Sequence, residues 1–248
     1  MGIARGMTRL LLDEHRRKPF SGQVLVLGRQ HVYFDMGELR KWAAMHDVAL
    51  SQPKDIRLSN IPDLAAKGCI DDHTLFEALG FDVVDTTDFS DYEGADIIWD
   101  LNQPVPDEMC GKYDMIIDAG TSEHIFHVPN VMANIHAMLK LGGRIIHGAP
   151  TSNFVDHGFF MFSPTFFFDY YTANKFEIGA CYLVELFLDP ERRWNIHELQ
   201  PGGVEHLLGR MNGLFATYFT ATKTNSSTGR TVPQQGAYRR QWEGSSRA

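Results

Sequence analysis

The sequence predicts one α/β domain, in which a mostly parallel sheet of seven strands carries helices on both faces and ends in an antiparallel pair of C-terminal strands. Up to about residue 175, short apolar runs rich in Val and Ile alternate with amphipathic segments, which is typical of a parallel sheet covered by helices. Beyond that point, FEIGACYLVELF and GLFATYFTATKT are long β-rich runs separated by a polar stretch. The 248 residues, 44% of them hydrophobic, are enough to build one substantial core.

Five buried strands are predicted in the first part of the chain, and each is bounded by Gly, Asp or Asn. They are QVLVLG, FDVVDTT, ADIIWD, YDMIID and GGRIIHG. Before the fifth strand, Val131, Ile135 and Met138 recur at helical spacing. Pro129 and Gly142 mark the predicted start and end of that helix.

The aromatic run FFMFSPTFFFDYY, at 159–171, contains the start of another helix. Ser163 is placed as its N-cap and Pro164 as its first residue. Aromatic residues share one face of this helix, which suits the lining of an apolar ligand pocket, the protein core or a dimer interface. Tyr170 and Tyr171 also offer hydroxyl groups that a ligand could bind.

The predicted domain spans residues 1–224. Segment 36–70 is too long for a simple crossover between strands, which predicts an insertion that acts as a flap over the site. Segment 225–248 is rich in Ser, Gly and Gln and has no periodicity, which predicts a flexible tail.

Charge and cysteine content exclude several classes of function. Lys and Arg total 23 against 31 Asp and Glu, for a formal net charge of -8, so nucleic acid is not an expected partner. The three cysteines are scattered, which supports neither a disulfide framework nor a CxxC metal site and fits a reducing compartment. No run approaches the roughly 20 apolar residues that cross a bilayer. We therefore expect a cytoplasmic protein with no membrane partner.

Polar residues stand at the carboxyl ends of the predicted strands, the edge where open α/β sheets bind their ligands. Gly28 follows the first strand, Asp88 ends the second, Asp100 the third and Asp118 the fourth. A carboxylate after the second strand suits the two hydroxyls of a ribose, and one after the third can accept from an adenine amino group. The competing interpretation is that these acids cap loops and form turns, as Asp does at strand ends.

Three segments resemble the class I S-adenosylmethionine-dependent methyltransferases: DIIWDLNQPVP, YDMIIDAGTSEHIFHVPNVMANIHAMLKLGGRII and the closing pair of strands. The resemblance covers about residues 20–223 and implies the Rossmann-like fold of that family. More narrowly, the chain is similar to a bacterial subgroup whose first motif reads LGxQ, here LGRQ, and whose later motif reads DHGF. That subgroup is often linked to polysaccharide or natural-product pathways.

The resemblance implies S-adenosylmethionine as the methyl donor. Asp88 would bind its ribose, and Phe89 would lie on its adenine ring. The family's first motif has three closely spaced glycines, whereas here Arg29 and Gln30 follow Gly28 directly, so this loop either takes a different path around the donor or binds it more weakly. Further residues would border the adenine edge or the methionine moiety, namely Asp100, Leu101, Asp118, Ala119 and Gly120.

Two histidine-containing segments could supply a general base, because methyl transfer to a hydroxyl requires the removal of a proton. EHIFH places Glu123 and His124 after the fourth strand, and NFVDHGFF places Asp156 and His157 after the fifth. In the family that the chain resembles, the region after the fifth strand typically faces the acceptor. His157, oriented by Asp156, is therefore predicted as the catalytic base, and His124 beside Glu123 as the second candidate. The alternative is that each histidine caps a helix or packs in a loop.

A metal site formed by Asp118, Glu123, His124 and His127 is chemically conceivable, because carboxylates and imidazoles suit several divalent ions. The spacing of these residues matches no strong metal-binding motif, and HEXXH is absent. The sequence therefore predicts no metal site.

The leading hypothesis is methyl transfer from S-adenosylmethionine to a small-molecule acceptor, at an oxygen of a sugar or natural-product intermediate, by in-line displacement. The exposed edge of the sheet and the aromatic run are compatible with a homodimer. Two other functions stay open, since fold alone does not fix function. One is a non-catalytic accessory protein that has lost donor binding, and the other is an enzyme that binds S-adenosylmethionine for a different reaction, such as a cyclisation.

Overall fold

The computed structural model describes residues 2–187, 193–200 and 213–245, which form a single sheet flanked by helices. Within these ranges, no helix has the length and apolar character needed to cross a membrane. The strands are β1 (Gln23–Leu27), β2 (Val83–Asp88), β3 (Ile97–Ile98), β4 (Tyr113–Asp118), β5 (Leu139–Ser152), β6 (Glu177–Leu186), β7 (Asn195–Glu198) and β8 (Leu214–Thr222). The helices are α1 (Arg5–Arg17), α2 (Met36–Met45), α3 (Pro62–Ala65), α4 (Asp72–Ala78), α5 (Val128–Met138), α6 (Pro164–Ala173) and α7 (Gly236–Ser245).

The strand order confirms the predicted Rossmann-like α/β fold. Along the sheet the order is β3-β2-β1-β4-β5-β8-β6-β7. The first five of these strands pair in parallel, whereas β8 runs antiparallel to both β5 and β6. The described part of the chain has one strand more than predicted, since β7 lies in the polar stretch between the two C-terminal strands and pairs with β6. Its sequence, NIHE, has a single apolar residue and so carries no strand pattern.

Side chains alternate along β1 between two apolar cores, which is why helices cover both faces of the sheet. Val24 and Val26 pack in one core with residues of α1, α2 and α4. Leu25 and Leu27 pack on the opposite face with residues of α5 and α6. Because successive side chains of a strand point to opposite faces, a strand buried on both sides needs this continuous apolar run.

The helix before β5 is shorter than predicted. It ends at Met138, and Leu139 already has extended backbone, with φ -70° and ψ 136°. Gly142 lies within β5 at a φ of 79°, and its N–H donates to the carbonyl of Lys223 at 2.9 Å. The segment LKLGG therefore belongs to the sheet, because its backbone groups bond there instead of continuing the helix.

The sequence predicts two segments outside the regular α/β pattern, at 36–70 and 225–248. The first contains α2 and α3 and contributes Leu39 and Ala43 to the core. In the second, the N–H of Thr231 donates to Asn174 Oδ1 at 3.0 Å, and α7 follows. The roles of flap and of flexible tail stay predictions.

Candidate functional site

A cavity of about 520 Å³ opens at the carboxyl ends of β1, β2, β3 and β4. The strand order reverses between β1 and β4, and the volume lies within the range of small-molecule sites. The predicted site residues fall into two groups, those that line this cavity and those that do not. Its wall includes Gly28, Arg29, Asp88, Phe89, Asp100, Leu101, Gly120 and His124. The predicted residues outside the wall are Gln30, Asp118, Ala119, Glu123 and His157.

The remainder of the wall was not identified from the sequence. Most of these residues stand within a few positions of a strand end, as Thr87 does before Asp88 and Trp99 before Asp100. A search of entire strand-end loops, and not only of their acids, would have found them. They are His31, Tyr33, Thr87, Glu93, Trp99, Asn102, Thr121 and Ile125.

Gly28 is needed at the turn that leads from β1 into the cavity. Its φ is 69°, a backbone conformation that residues with a side chain rarely adopt. A Cβ added here would lie 2.9 Å from Thr121 Oγ1. The Gly28 N–H also donates to the carbonyl of Thr87 at 2.7 Å, which fixes the turn against β2. The one glycine of the LGRQ motif therefore stands where the backbone requires it.

Asp72, the first residue of α4, holds the two residues that follow Gly28. Its carboxylate accepts from Arg29 Nε at 2.9 Å, from Arg29 Nη2 at 2.7 Å and from the Gln30 N–H at 2.9 Å. Arg29 Nη1 donates in turn to the carbonyl of Gly94 at 2.7 Å, so one guanidinium joins the loop after β1, the loop after β2 and the start of α4. The carboxylate is fully buried, and burial opposes its ionisation, but hydrogen bonds from His73 and Arg29 hold the pKa of Asp72 below its usual value.

Through His73, the same network reaches the loop between β2 and β3. His73 Nε2 lies 2.9 Å from Asp96 Oδ2, and Asp96 also accepts from the N–H and the hydroxyl of Thr86. Hydrogen bonds to Asp72 and Asp96 raise the pKa of His73 to about 9. Burial opposes ionisation of Asp96, yet its hydrogen bonds from His73 and Thr86 keep the pKa of that carboxyl well below its ordinary value. His73 is therefore a cation at neutral pH that lies between two carboxylates.

We expect the free energy of unfolding to fall by about 2 to 3 kcal/mol as the pH rises from about 7 to about 10, and this fall to be reduced in His73→Gln. The pKa of His73 is raised from 6.5 to about 9 in the folded protein, so its contribution is complete below about pH 6.5 and is lost as the pH passes through about 9. Urea unfolding followed by circular dichroism at a series of pH values measures this. The same pH dependence in wild type and variant would contradict the assignment.

Asp88, the last residue of β2, and Asp100, two residues after β3, differ in how many hydrogen bonds their carboxylates already accept. Asp88 Oδ1 accepts from the Phe89 N–H at 2.7 Å, which leaves Oδ2 without a partner among the described residues. Asp100 Oδ1 accepts from both the backbone and the side-chain amide of Asn102, at 2.9 and 2.8 Å, and these bonds lower the pKa of the Asp100 carboxyl. Asp100 thus forms a turn, as the competing interpretation expects, while Asp88 keeps an oxygen for a ligand.

Asp118 lies behind the cavity wall in a fully buried network. Its Oδ2 is 2.7 Å from His147 Nδ1 and 2.7 Å from Ser122 Oγ. Burial opposes ionisation, but the bond from His147 holds the pKa of Asp118 below its usual value. His147 Nε2 lies 2.7 Å from the hydroxyl of Tyr171, and Tyr170 donates to the carbonyl of Gly229. Both tyrosine hydroxyls are thus engaged within the protein and do not offer the ligand contact that the sequence suggests.

Glu123, His124 and His157 form a cluster beside the cavity. Glu123 is completely buried, and neither of its carboxylate oxygens has a hydrogen-bond partner among the described residues. Its Oε1 lies 3.9 Å from His124 Nε2 and 3.8 Å from His157 Nε2. Burial and the nearby charge of Asp118 raise the pKa of Glu123 to about 8. Of the three, only His124 lines the cavity.

The loop after β5 is held against Glu123 by its backbone. The N–H groups of Phe159 and Phe160 donate to the carbonyl of Glu123 at 2.8 and 3.2 Å. A Cβ added at Gly158 would lie 2.9 Å from that carbonyl and 3.2 Å from His124 Nδ1. The close approach therefore requires glycine here, and it is what brings His157 within reach of residues that follow β4.

No known protein-family profile and no curated protein sequence matches the chain. The solved structures that it resembles include S-adenosylmethionine-dependent methyltransferases. One is the 1,6-didemethyltoxoflavin N1-methyltransferase of Burkholderia thailandensis with bound S-adenosylhomocysteine, at 12% identity over 88% of this chain and 77% of that one, with a TM-score of 0.33. An enzyme from Archaeoglobus fulgidus shows 11% identity over 88% and 96% of the two chains, with a TM-score of 0.45. A possible histamine N-methyltransferase of Thermotoga maritima shows 15% identity over 87% and 89%, with a TM-score of 0.39. At these values the likeness concerns the fold and indicates no particular reaction.

Proposed function

We propose that the chain transfers a methyl group from S-adenosylmethionine to a small-molecule acceptor. The observation that carries this proposal is the cavity at the switch point of the sheet, whose wall combines Gly28, Asp88, Phe89 and Gly120. These are the residue types that a nucleoside with a charged tail needs: backbone without side chains, an acid and an aromatic face.

The residues of the wall fit the donor in four respects. Asp88 Oδ2 has no partner among the described residues and is suited to the ribose hydroxyls. Phe89 is 73% exposed and offers a ring face to an adenine. The buried hydroxyl of Thr87 has no hydrogen-bond partner among the described residues, and a polar group of the donor would satisfy it. Gly120, with a φ of 96°, allows a close approach of the backbone.

The acceptor side of the proposal concerns the cluster beside the cavity. We propose an oxygen of a sugar or natural-product intermediate as the acceptor. When bound, the donor supplies an electrophilic methyl group on a sulfonium. His157 is the proposed base for the acceptor hydroxyl and His124 the second candidate, with a proton passing to an imidazole nitrogen as the oxygen gains the methyl group. His124 has the direct access, since it lines the cavity and His157 packs against it with ring centroids 5.0 Å apart.

The proposal also covers the location of the protein, its pathway, its assembly and its partners. We propose a cytoplasmic enzyme of a biosynthetic pathway, a homodimeric assembly and no nucleic-acid partner. The net charge of -8 supports the last of these, because phosphate backbones are bound by clustered cations.

The test is a calorimetric titration of wild type and Asp88→Asn with S-adenosylmethionine and with S-adenosylhomocysteine. We expect wild type to bind both at micromolar concentration and Asp88→Asn to bind each about 5- to 150-fold more weakly, the equivalent of about 1 to 3 kcal/mol for a lost charged hydrogen bond. Asp91→Asn is the matched control, because it removes the same charge from the same loop outside the cavity wall.

Equal affinities in Asp88→Asn and wild type would remove Asp88 from the donor site. Failure of folded wild type, free of copurified ligand, to bind either compound would overturn the proposed function and favour a non-catalytic accessory protein on this fold.

A further inference from the structure

Glu123, His124 and His157 converge although the sequence separates them. Each offers one donor atom, and the three atoms lie within 4.8 Å of one another. Two imidazoles and one carboxylate are a donor set that binds divalent first-row transition ions and leaves coordination positions open. We propose that this cluster binds one divalent metal ion of the Zn²⁺ type at the edge of the cavity.

The distances suit an ion after a small adjustment. Two donors that are each about 2.1 Å from Zn²⁺ at a tetrahedral angle lie about 3.4 Å apart. The observed separations from Glu123 Oε1 are 3.9 Å to His124 Nε2 and 3.8 Å to His157 Nε2. Both imidazoles are partly exposed, with 41% and 33% of their side-chain surface accessible, so rotation of the rings can close the difference.

The buried carboxylate is the independent observation that points to a cation. Glu123 is 0% exposed, and both of its oxygens lack partners among the described residues. A buried polar group without a partner is costly, and a buried charge is normally paired or coordinates a metal. The surrounding groups give it no hydrogen bond, since both imidazoles lie beyond hydrogen-bond distance of Oε1 and the nearby Asp118 bonds to His147 and Ser122 instead. A divalent ion would satisfy Glu123 and would be bound by both imidazoles as well.

The sequence could not show this site, because motif spacing reports only ligands that are close along the chain. His157 comes 34 residues after Glu123 and is brought in by the docking of the loop after β5 on the Glu123 carbonyl. His127, which the sequence offers as a ligand in EHIFH, is not in the cluster. It is the last residue before α5, and its N–H donates to Asn102 Oδ1.

The ion would deepen the proposed function, on which this part of the inference rests. Held by His124 at the cavity wall, it could bind the acceptor oxygen and lower the pKa of the acceptor hydroxyl. The O–H bond then breaks with release of the proton to water, and an O–C bond forms as the S–C bond of the donor breaks. In that arrangement His124 and His157 act as ligands, and no free imidazole is required as a base.

The experiment uses the metal alone, without donor or acceptor. Chelator-treated full-length protein is titrated with Zn²⁺ by calorimetry and with Co²⁺ by visible absorption, which reports nitrogen and oxygen ligands directly. We expect one equivalent to bind with micromolar or tighter affinity, and Glu123→Gln, His124→Ala and His157→Ala each to bind at least about 10-fold more weakly. The matched control is His127→Ala, which removes an exposed histidine of the same segment and should bind as wild type does.

Two further measurements make the result independent of folding and of the proposed function. Zn²⁺ should raise the melting temperature of wild type but not that of Glu123→Gln, whose fold should persist because the change removes an unpaired buried carboxylate. Asp88→Asn should bind Zn²⁺ as wild type does, so loss of the donor site and loss of the metal site are separate outcomes. Absence of Zn²⁺ and Co²⁺ binding in wild type, or equal weakening in His127→Ala, would overturn the metal site.

Discussion

Replacement of Asp72 by Asn is expected to lower the free energy of unfolding by about 3 to 5 kcal/mol, the usual cost of removing one partner from a buried ion pair. Asp72 is fully buried, and the guanidinium that it holds is only 12% exposed. The substitution keeps the shape of the side chain but leaves Arg29 with its charge uncompensated and the Gln30 N–H with a weaker acceptor. Urea unfolding at neutral pH measures the loss.

The matched control is the double variant Arg29→Met/Asp72→Asn. When both charges are removed, no unpaired charge remains buried, so the double variant should lose less stability than Asp72→Asn alone. If instead its loss equals the sum of the losses in Asp72→Asn and in Arg29→Met, measured in the same way, the pair is not energetically coupled, and the idea that it fixes the loop after Gly28 fails.

The fold could be predicted because its signals are local. Each parallel strand contains a short apolar run bounded by turn residues, such as VV in β2 and MII in β4. The alternation of Val24, Leu25, Val26 and Leu27 between two cores needs no further information. The errors in detail have the same origin. The polar strand β7 forms only because β6 offers it an edge, and α5 stops at Met138 because the next residues find partners in the sheet. Such partners are not visible in a local pattern.

The cavity could be predicted in outline for a different reason. Residues at the carboxyl ends of neighbouring parallel strands meet in space, so Gly28, Asp88 and Gly120 come together once the topology is known. The contacts that hold the loop after Gly28 in place could not be predicted. Asp72 lies 43 residues after Arg29. Nothing in the sequence around Asp72, CIDDHTLF, indicates that its carboxylate binds Arg29 and so holds the loop after β1.

The second prediction with a large expected effect concerns the turnover of variants in the cluster of Glu123, His124 and His157. With an acceptor drawn from a panel of small hydroxyl compounds, and S-adenosylhomocysteine formation as the readout, we expect Glu123→Gln, His124→Ala and His157→Ala each to lower kcat by about 100-fold or more. Their affinities for S-adenosylmethionine should stay within about twofold of wild type, because none of the three is among the proposed donor contacts Gly28, Asp88, Phe89 and Gly120. His127→Ala serves again as the control and should retain wild-type turnover.

The pattern among the variants separates two ways in which the cluster could act. Groups that hold one ion work as a unit, so a triple variant should lose hardly more activity than any single one. A lone histidine base predicts otherwise: His157→Ala would be severely impaired, while Glu123→Gln, which touches no acceptor atom, would keep most of its activity. The unpartnered carboxyl of Glu123 decides between them, because a metal ion would give its buried oxygens a partner, whereas a free imidazole base would leave both of them unsatisfied.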